Sequence, residues 1–136
     1  GPIRVTVYAS TTAKDTDFTA KLIHEYPPND AFNDGFALNL SDSICRARYR
    51  GQRASPDFVE PGEIYEYELE LYPTANVFQE GHCIRLDISS SNFPRYDVNR
   101  NTGEQLYGGR SHEIAENTIY LDDNRPTHVE LPVITR

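Results

Sequence analysis

Ser111 beside His112 is the first pair to weigh, because a serine next to a histidine is the raw material of nucleophilic acyl transfer. Such a serine sits in a G-x-S-x-G turn between a strand and a helix, where its hydroxyl is exposed. The nearest approach is Gly109-Arg110-Ser111-His112-Glu113, which lacks the second glycine and has no apolar strand leading into it. His112-Glu113-Ile114-Ala115-Glu116 opens like a zinc-protease helix, but Glu116 stands where the second histidine must be. His24, His82, His112 and His128 are far apart in the chain, and no Cys/His spacing suggests zinc. Asp15-Thr16-Asp17 and the Asp30 to Asp34 stretch offer oxygen atoms without the spacing of a calcium loop, so they read as turn residues. No glycine-rich phosphate cradle occurs, and Asn39-Leu40-Ser41 fits a glycosylation acceptor only formally, at an expected strand end. No catalytic residue, metal ligand or cofactor is assigned on these grounds.

The elements that would have to position any such site are strands. Apolar residues recur with period two, which marks strands with one buried face. Ile3, Val5 and Val7 alternate with Arg4 and Thr6; Phe18, Ala20, Leu22 and His24 alternate with Thr19, Lys21 and Glu25. Phe36 to Leu40 reads as a short strand, and Ile44 to Arg50 as another, with Arg46, Arg48 and Arg50 on one side. Pro61-Gly62 launches the clearest strand, with Tyr65, Tyr67, Leu69 and Leu71 on one face and Glu66, Glu68 and Glu70 on the other. Gly81 starts a run with Ile84, Leu86 and Ile88 inward; Asn117 to Leu121 and His128 to Val133 complete the set. The Glu and Arg rows read as a solvated outer face that discourages edge-to-edge aggregation. About eight antiparallel strands without an amphipathic helix indicate an all-β, jelly-roll β-sandwich, galactose-binding-domain-like.

Residues at about 90–115 break the alternation with Asn92, Pro94, Asn99, Asn101, Gly103, Gly108 and Gly109. A connection this long in a small domain usually binds something or covers a surface. It mixes aromatic residues and arginines, types enriched at protein interfaces, so Asn92, Phe93, Pro94, Arg95, Tyr96 and Tyr107 are the candidate contact residues.

Length and charge bound the rest. The 136 residues suffice for one domain with its own core, taken as residues 1–136. A net charge of −8 repels phosphate backbones and anionic lipid, which argues against nucleic-acid and membrane-surface roles. No apolar run approaches the ~20 residues that cross a bilayer, and no signal-peptide pattern opens the chain. Cys45 and Cys83 lie in β-like runs and are expected to be free, mostly buried thiols, which leans towards a cytoplasmic location. The absence of Met leads us to expect a piece of something longer.

One succession of motifs is specific. Pro73-Thr74-Ala75-Asn76-Val77-Phe78 is followed by Gly81-His82-Cys83-Ile84-Arg85-Leu86-Asp87-Ile88-Ser89-Ser90-Ser91-Asn92-Phe93-Pro94-Arg95-Tyr96-Asp97. This run resembles the C-terminal domain of the X-prolyl dipeptidyl-peptidase and cocaine-esterase-like serine hydrolases. The opening Gly1-Pro2-Ile3-Arg4-Val5, the Asp15 to Leu22 stretch, Arg46-Ala47-Arg48-Tyr49-Arg50, Pro61-Gly62-Glu63 and Leu131-Pro132-Val133-Ile134 are similar to it too. Pro28 to Phe32 looks like a small insertion, and Ser43 stands where the family more often has glycine. The resemblance implies a jelly-roll module that packs on an α/β-hydrolase domain of the same polypeptide, helps to wall its substrate cleft, and offers a surface for a homodimer. It also implies that serine, acid and histidine all belong to that other domain, and none transfers to this chain. The alternative is a carbohydrate-binding jelly roll, for which Tyr96 and Tyr107 would be the stacking platforms.

Overall fold

The computed structural model describes residues 1–52, 54–105 and 110–134. Among the described residues seven strands form: β1 (Ile3–Thr11), β2 (Asp17–Tyr26), β3 (Phe36–Arg46), β4 (Tyr65–Leu71), β5 (Cys83–Ser89), β6 (Asn117–Tyr120) and β7 (His128–Glu130). One sheet has the order β4-β1-β6, and β7 follows β6 along the same edge of β1. The second has the order β3-β2-β5, and every pairing is antiparallel. The chain passes from one sheet to the other between β1 and β2, β3 and β4, β4 and β5, and β5 and β6. That alternation makes a jelly-roll-like sandwich.

The core follows from the period-two reading. Ile3, Val5, Val7 and Ala9 of β1 and Tyr67, Leu69 and Leu71 of β4 face Phe18, Ala20 and Leu22 of β2. Phe18 and Tyr67 meet across the layers with ring centres 4.6 Å apart. Burying one such aromatic side chain contributes about 2–3 kcal/mol. The alternate residues of β4, Glu66, Glu68 and Glu70, stay exposed as expected.

Two expected strands are one. The register of β3 against β2 steps from Leu22↔Ser41 to Ile23↔Asn39, which leaves Leu40 as the extra residue of a β-bulge. The bulge shifts the alternation by one, so a continuous strand carries the pattern of two short ones and the count falls from about eight to seven. At the other end, the strand expected over Ile44 to Arg50 stops at Arg46. Ala47–Gln52 is a kinked 3-10 segment, with Gly51 at φ 65°. The Ala47 amide still bonds the Thr16 carbonyl at 2.9 Å, in register with the Asp17↔Arg46 pair, and the chain leaves the ladder at Arg48, whose amide donates to Asp15 Oδ1 at 3.0 Å.

Candidate interaction site: the 92–104 loop on the outer face

The outward face of β2 is not a solvent face. Asp17 and Thr19 point away from the core by alternation, yet each is only 1% exposed. Their neighbours on β3 in the same outward row are Ile44, Asp42 and, at the strand end, Arg46. The long loop after β5 lies across this row and makes a third layer over one side of the sandwich.

Each anchor of that loop is a polar side chain spent on the scaffold. Asn92 donates from Nδ2 to Asp42 Oδ2 at 3.0 Å, and Arg95 Nε reaches Asp42 Oδ1 at 2.8 Å. Asp97 pairs with Arg46. Asn99 uses the two hydrogens of its amide on two carboxylates, Asp15 Oδ2 and Asp17 Oδ1, both at 2.7 Å. Arg48 completes the set: its backbone and Nε donate to Asp15 at 3.0 and 2.8 Å, and Nη1 donates to the Glu104 carbonyl at 3.0 Å. Asn101, at φ 65°, ties the loop to its return path through a 2.9 Å bond from Nδ2 to the Glu113 carbonyl.

The Arg row is therefore not a solvated face. Arg46, Arg48 and Arg50 pair with Asp97, Asp15 and Asp57, and their side chains are 16%, 6% and 12% exposed. Likewise Asp15 and Asp17 are buried anchors and not turn residues. The Asp15–Arg48 pair is fully desolvated, so removing one partner would cost about 3–5 kcal/mol. Asp17 is less well served: its Oδ2 has no hydrogen-bond partner among the described residues. Burial pushes its pKa up to about 6, against the pull of Asn99 and Arg46, and nearby Asp15 and Asp97 add to the rise.

With Asn92, Asp97 and Asn99 turned inward, the loop presents apolar side chains outward, beside the exposed Arg95 and Arg100. Phe93 is 71% and Val98 51% exposed, and Pro94 lies beside Phe93 on the surface. The Arg95 guanidinium sits 5.5 Å from the Tyr72 ring centre and 5.7 Å from that of Tyr96, which is half-buried. Of the six candidate residues, Asn92 and Arg95 thus anchor the loop, Phe93 and Pro94 face solvent, and Tyr96 flanks Arg95. Tyr107 lies outside the described residues. Sequence reading missed Asp42, Asp97 and Asn99 as anchors; the only signal for them was the clustering of three arginines with no local counter-charge.

Ser111 donates to Glu104 Oε2 at 3.1 Å, and among the described residues no hydrogen bond joins it to a histidine. No group of three or more His, Cys, Asp or Glu side chains among the described residues is arranged to hold a metal ion. Both thiols are free, but Cys83 is exposed and Cys45 half-buried, not mostly buried as expected. Among the described residues His24 meets His82, a contact the sequence reading did not foresee.

Several known proteins are similar to this chain. The chain is 43% identical to a cocaine esterase of a Rhodococcus species, over 100% of this chain and 23% of that protein. An aminopeptidase from a marine sediment archaeon, Thaumarchaeota archaeon, superposes with a TM-score of 0.90 at 29% identity, over 99% of this chain and 23% of that one. An alpha-amino acid ester hydrolase, labelled with selenomethionine, superposes at 0.89 and 31% identity, over 98% and 23%. The chain thus spans under a quarter of each of these relatives, which are longer hydrolases carrying this domain in the same polypeptide. The profile of the X-Pro dipeptidyl-peptidase C-terminal non-catalytic domain matches residues 1–130, and the chain belongs to that family.

Proposed function

We propose that residues 1–136 form one accessory domain that packs against an α/β-hydrolase catalytic domain of the same polypeptide and helps to wall its substrate cleft. The observation that carries this reading is the exposed Phe93, Pro94 and Val98 of a loop pinned to the scaffold through Asn92, Arg95, Asp97 and Asn99. A loop fixed in this way pays little ordering entropy on contact, and Phe93 is the aromatic anchor such an interface requires. Catalysis resides in the other domain, where an acyl-enzyme forms on a serine assisted by histidine. The two unpaired thiols fit a reducing compartment such as the cytoplasm.

The test compares the parent polypeptide with its Phe93→Asp/Val98→Asp variant. Both residues are exposed in this domain, so the isolated 136-residue chain should lose no more than about 0.5 kcal/mol. In the parent, the catalytic part should melt several degrees lower and kcat/KM should fall. Unchanged melting and turnover would overturn the docking role. Hydrolysis of an activated ester by the isolated chain, abolished by Ser111→Ala, would overturn the non-catalytic assignment.

A further inference from the structure

At the far end of the β3-β2-β5 sheet, away from the loop anchors at Asp15 and Arg46, His24 is 1% exposed. What covers it is the segment between β4 and β5, which has no strand of its own. Phe78 and His82 of that segment place their ring centres 4.5 and 4.9 Å from His24, and Tyr26 stacks on it at 4.0 Å. The turn at Gly81, with φ 82° and a 3.1 Å bond from the His82 amide to the Gln79 carbonyl, swings the His82 ring back onto β2. Two side-chain bonds then clasp the segment: His24 Nε2 to His82 Nδ1 at 2.7 Å, and Asn76 Nδ2 to His24 Nδ1 at 2.9 Å.

A 2.7 Å contact between two imidazole nitrogens requires one N–H and one lone pair. With the Asn76 amide donating to Nδ1, the His24 proton is on Nε2 and points at the lone pair of His82 Nδ1. Both rings are then neutral. One further proton is tolerated: His24 takes it on Nδ1, the Asn76 amide turns, and its oxygen accepts. A second proton is not, because it places N–H on both facing nitrogens and two cations at hydrogen-bond distance.

The surroundings offer no compensation. On the His24 face, β2 contributes Tyr26, β3 contributes Leu38 and Phe36, and β5 contributes Ile84. Glu25 and Arg85 lie on the opposite face by alternation and pair with each other at 3.6 Å, and Cys83, opposite Glu25, shares that face. The covering segment brings Asn76, Phe78, the exposed Glu80 and His82 itself. Among the described residues, no carboxylate hydrogen-bonds to either ring.

From this geometry we infer that His24 and His82 form a pH-operated clasp. Neutral or singly protonated, it holds residues 73–82 over the sheet end; doubly protonated, it releases them. Opening uncovers Tyr26 and Phe78 next to Phe32 and Phe36, whose stacked rings are already partly exposed, and so enlarges an apolar patch.

Nitrogen NMR on the 15N-labelled 136-residue chain tests this directly. In mildly alkaline solution a scalar coupling across the hydrogen bond should link His24 Nε2 with His82 Nδ1, and acidification should weaken it. Amide exchange over 74–82, corrected for its intrinsic pH dependence, should then speed up at least tenfold (~10-fold) while β1 and β4 stay protected. In His82→Asn a side-chain oxygen stands near the place of Nδ1 and accepts from His24 in either charge state, so acid should no longer open the segment. A missing coupling at the higher pH, an acid state as protected as the neutral one, or equal opening in His82→Asn would each overturn the clasp. If His82→Asn does not fold, the coupling and exchange of the unsubstituted chain decide the matter.

Discussion

Asp17 is expected to make this domain less stable as pH rises through the acid range, and Asp17→Asn is expected to remove that loss. Burial moves the carboxyl from its ordinary 3.8 to about 6 in the folded chain. The folded chain therefore holds a proton between those values that the unfolded chain has released. Stability follows the difference in bound protons, so it is highest below the lower value, falls through the window, and is constant above the upper one. At 1.36 kcal/mol per pKa unit the full loss is about 3 kcal/mol. Asparagine copies the neutral carboxyl and still offers an oxygen to Asn99, but it leaves amide hydrogens unpaired. The net gain at neutral pH should then be roughly 1–2 kcal/mol. Urea unfolding of both chains at a series of pH values isolates Asp17 and the charges coupled to it, since every group that does not interact with Asp17 cancels in the difference. That difference should favour Asp17→Asn near neutrality and shrink on acidification. A difference that is constant with pH, or that favours the aspartate at neutral pH, would refute the reasoning.

Two further outcomes follow from the same network and from the thiols. Asp15→Ala leaves Arg48 buried and Asn99 half-served, and should cost about 3–5 kcal/mol in urea unfolding; a loss below about 1 kcal/mol would mean the pair is not desolvated. Burial pushes the Cys45 thiol up to about 11, whereas Cys83 is exposed, so a thiol reagent at neutral pH should modify Cys83 fast and Cys45 only slowly. Two equally fast thiols in the native chain would contradict the half-buried placement of Cys45.

Legibility in the sequence tracks the range of the interaction. Alternation is local, and it correctly placed the inward rows of β1, β2 and β4 because those strands run against the core for seven or more residues. It failed where the period itself is broken, at the Leu40 bulge, and where a strand ends for a reason outside itself, as β3 does when the Asp15 carboxylate claims the Arg48 amide. Periodicity assigns a side chain to a face but says nothing of what will cover that face. The partners of Asp15 and Asp17 lie more than eighty residues away in Asn99, a separation no local pattern reports. The same blindness hid the meeting of His24 with His82, fifty-eight residues apart. The long loop was recognised as a covering element because its lack of alternation is itself a local signal.

The Glu row of β4 and the Arg row after β3 show why sign and position had to be argued separately. Both alternate in the same way, yet one is exposed and the other desolvated. In a chain of net charge −8 carboxylates are abundant and arginines scarce, so each guanidinium brought to a covered face can be met by a carboxylate from elsewhere. Arg46, Arg48 and Arg50 receive theirs from three different connections: Asp97 from the loop after β5, Asp15 from the β1–β2 turn, and Asp57 from the stretch before β4. Three arginines within residues 46–50 thus fix three loops to one point. Buried pairs contribute little net stability compared with apolar packing, but an unpaired one is costly, so each pair penalises any loop arrangement but its own. The positions of Phe93 and Val98 are set in this way by charges they never touch, which is how a stretch without strands can present a defined apolar surface.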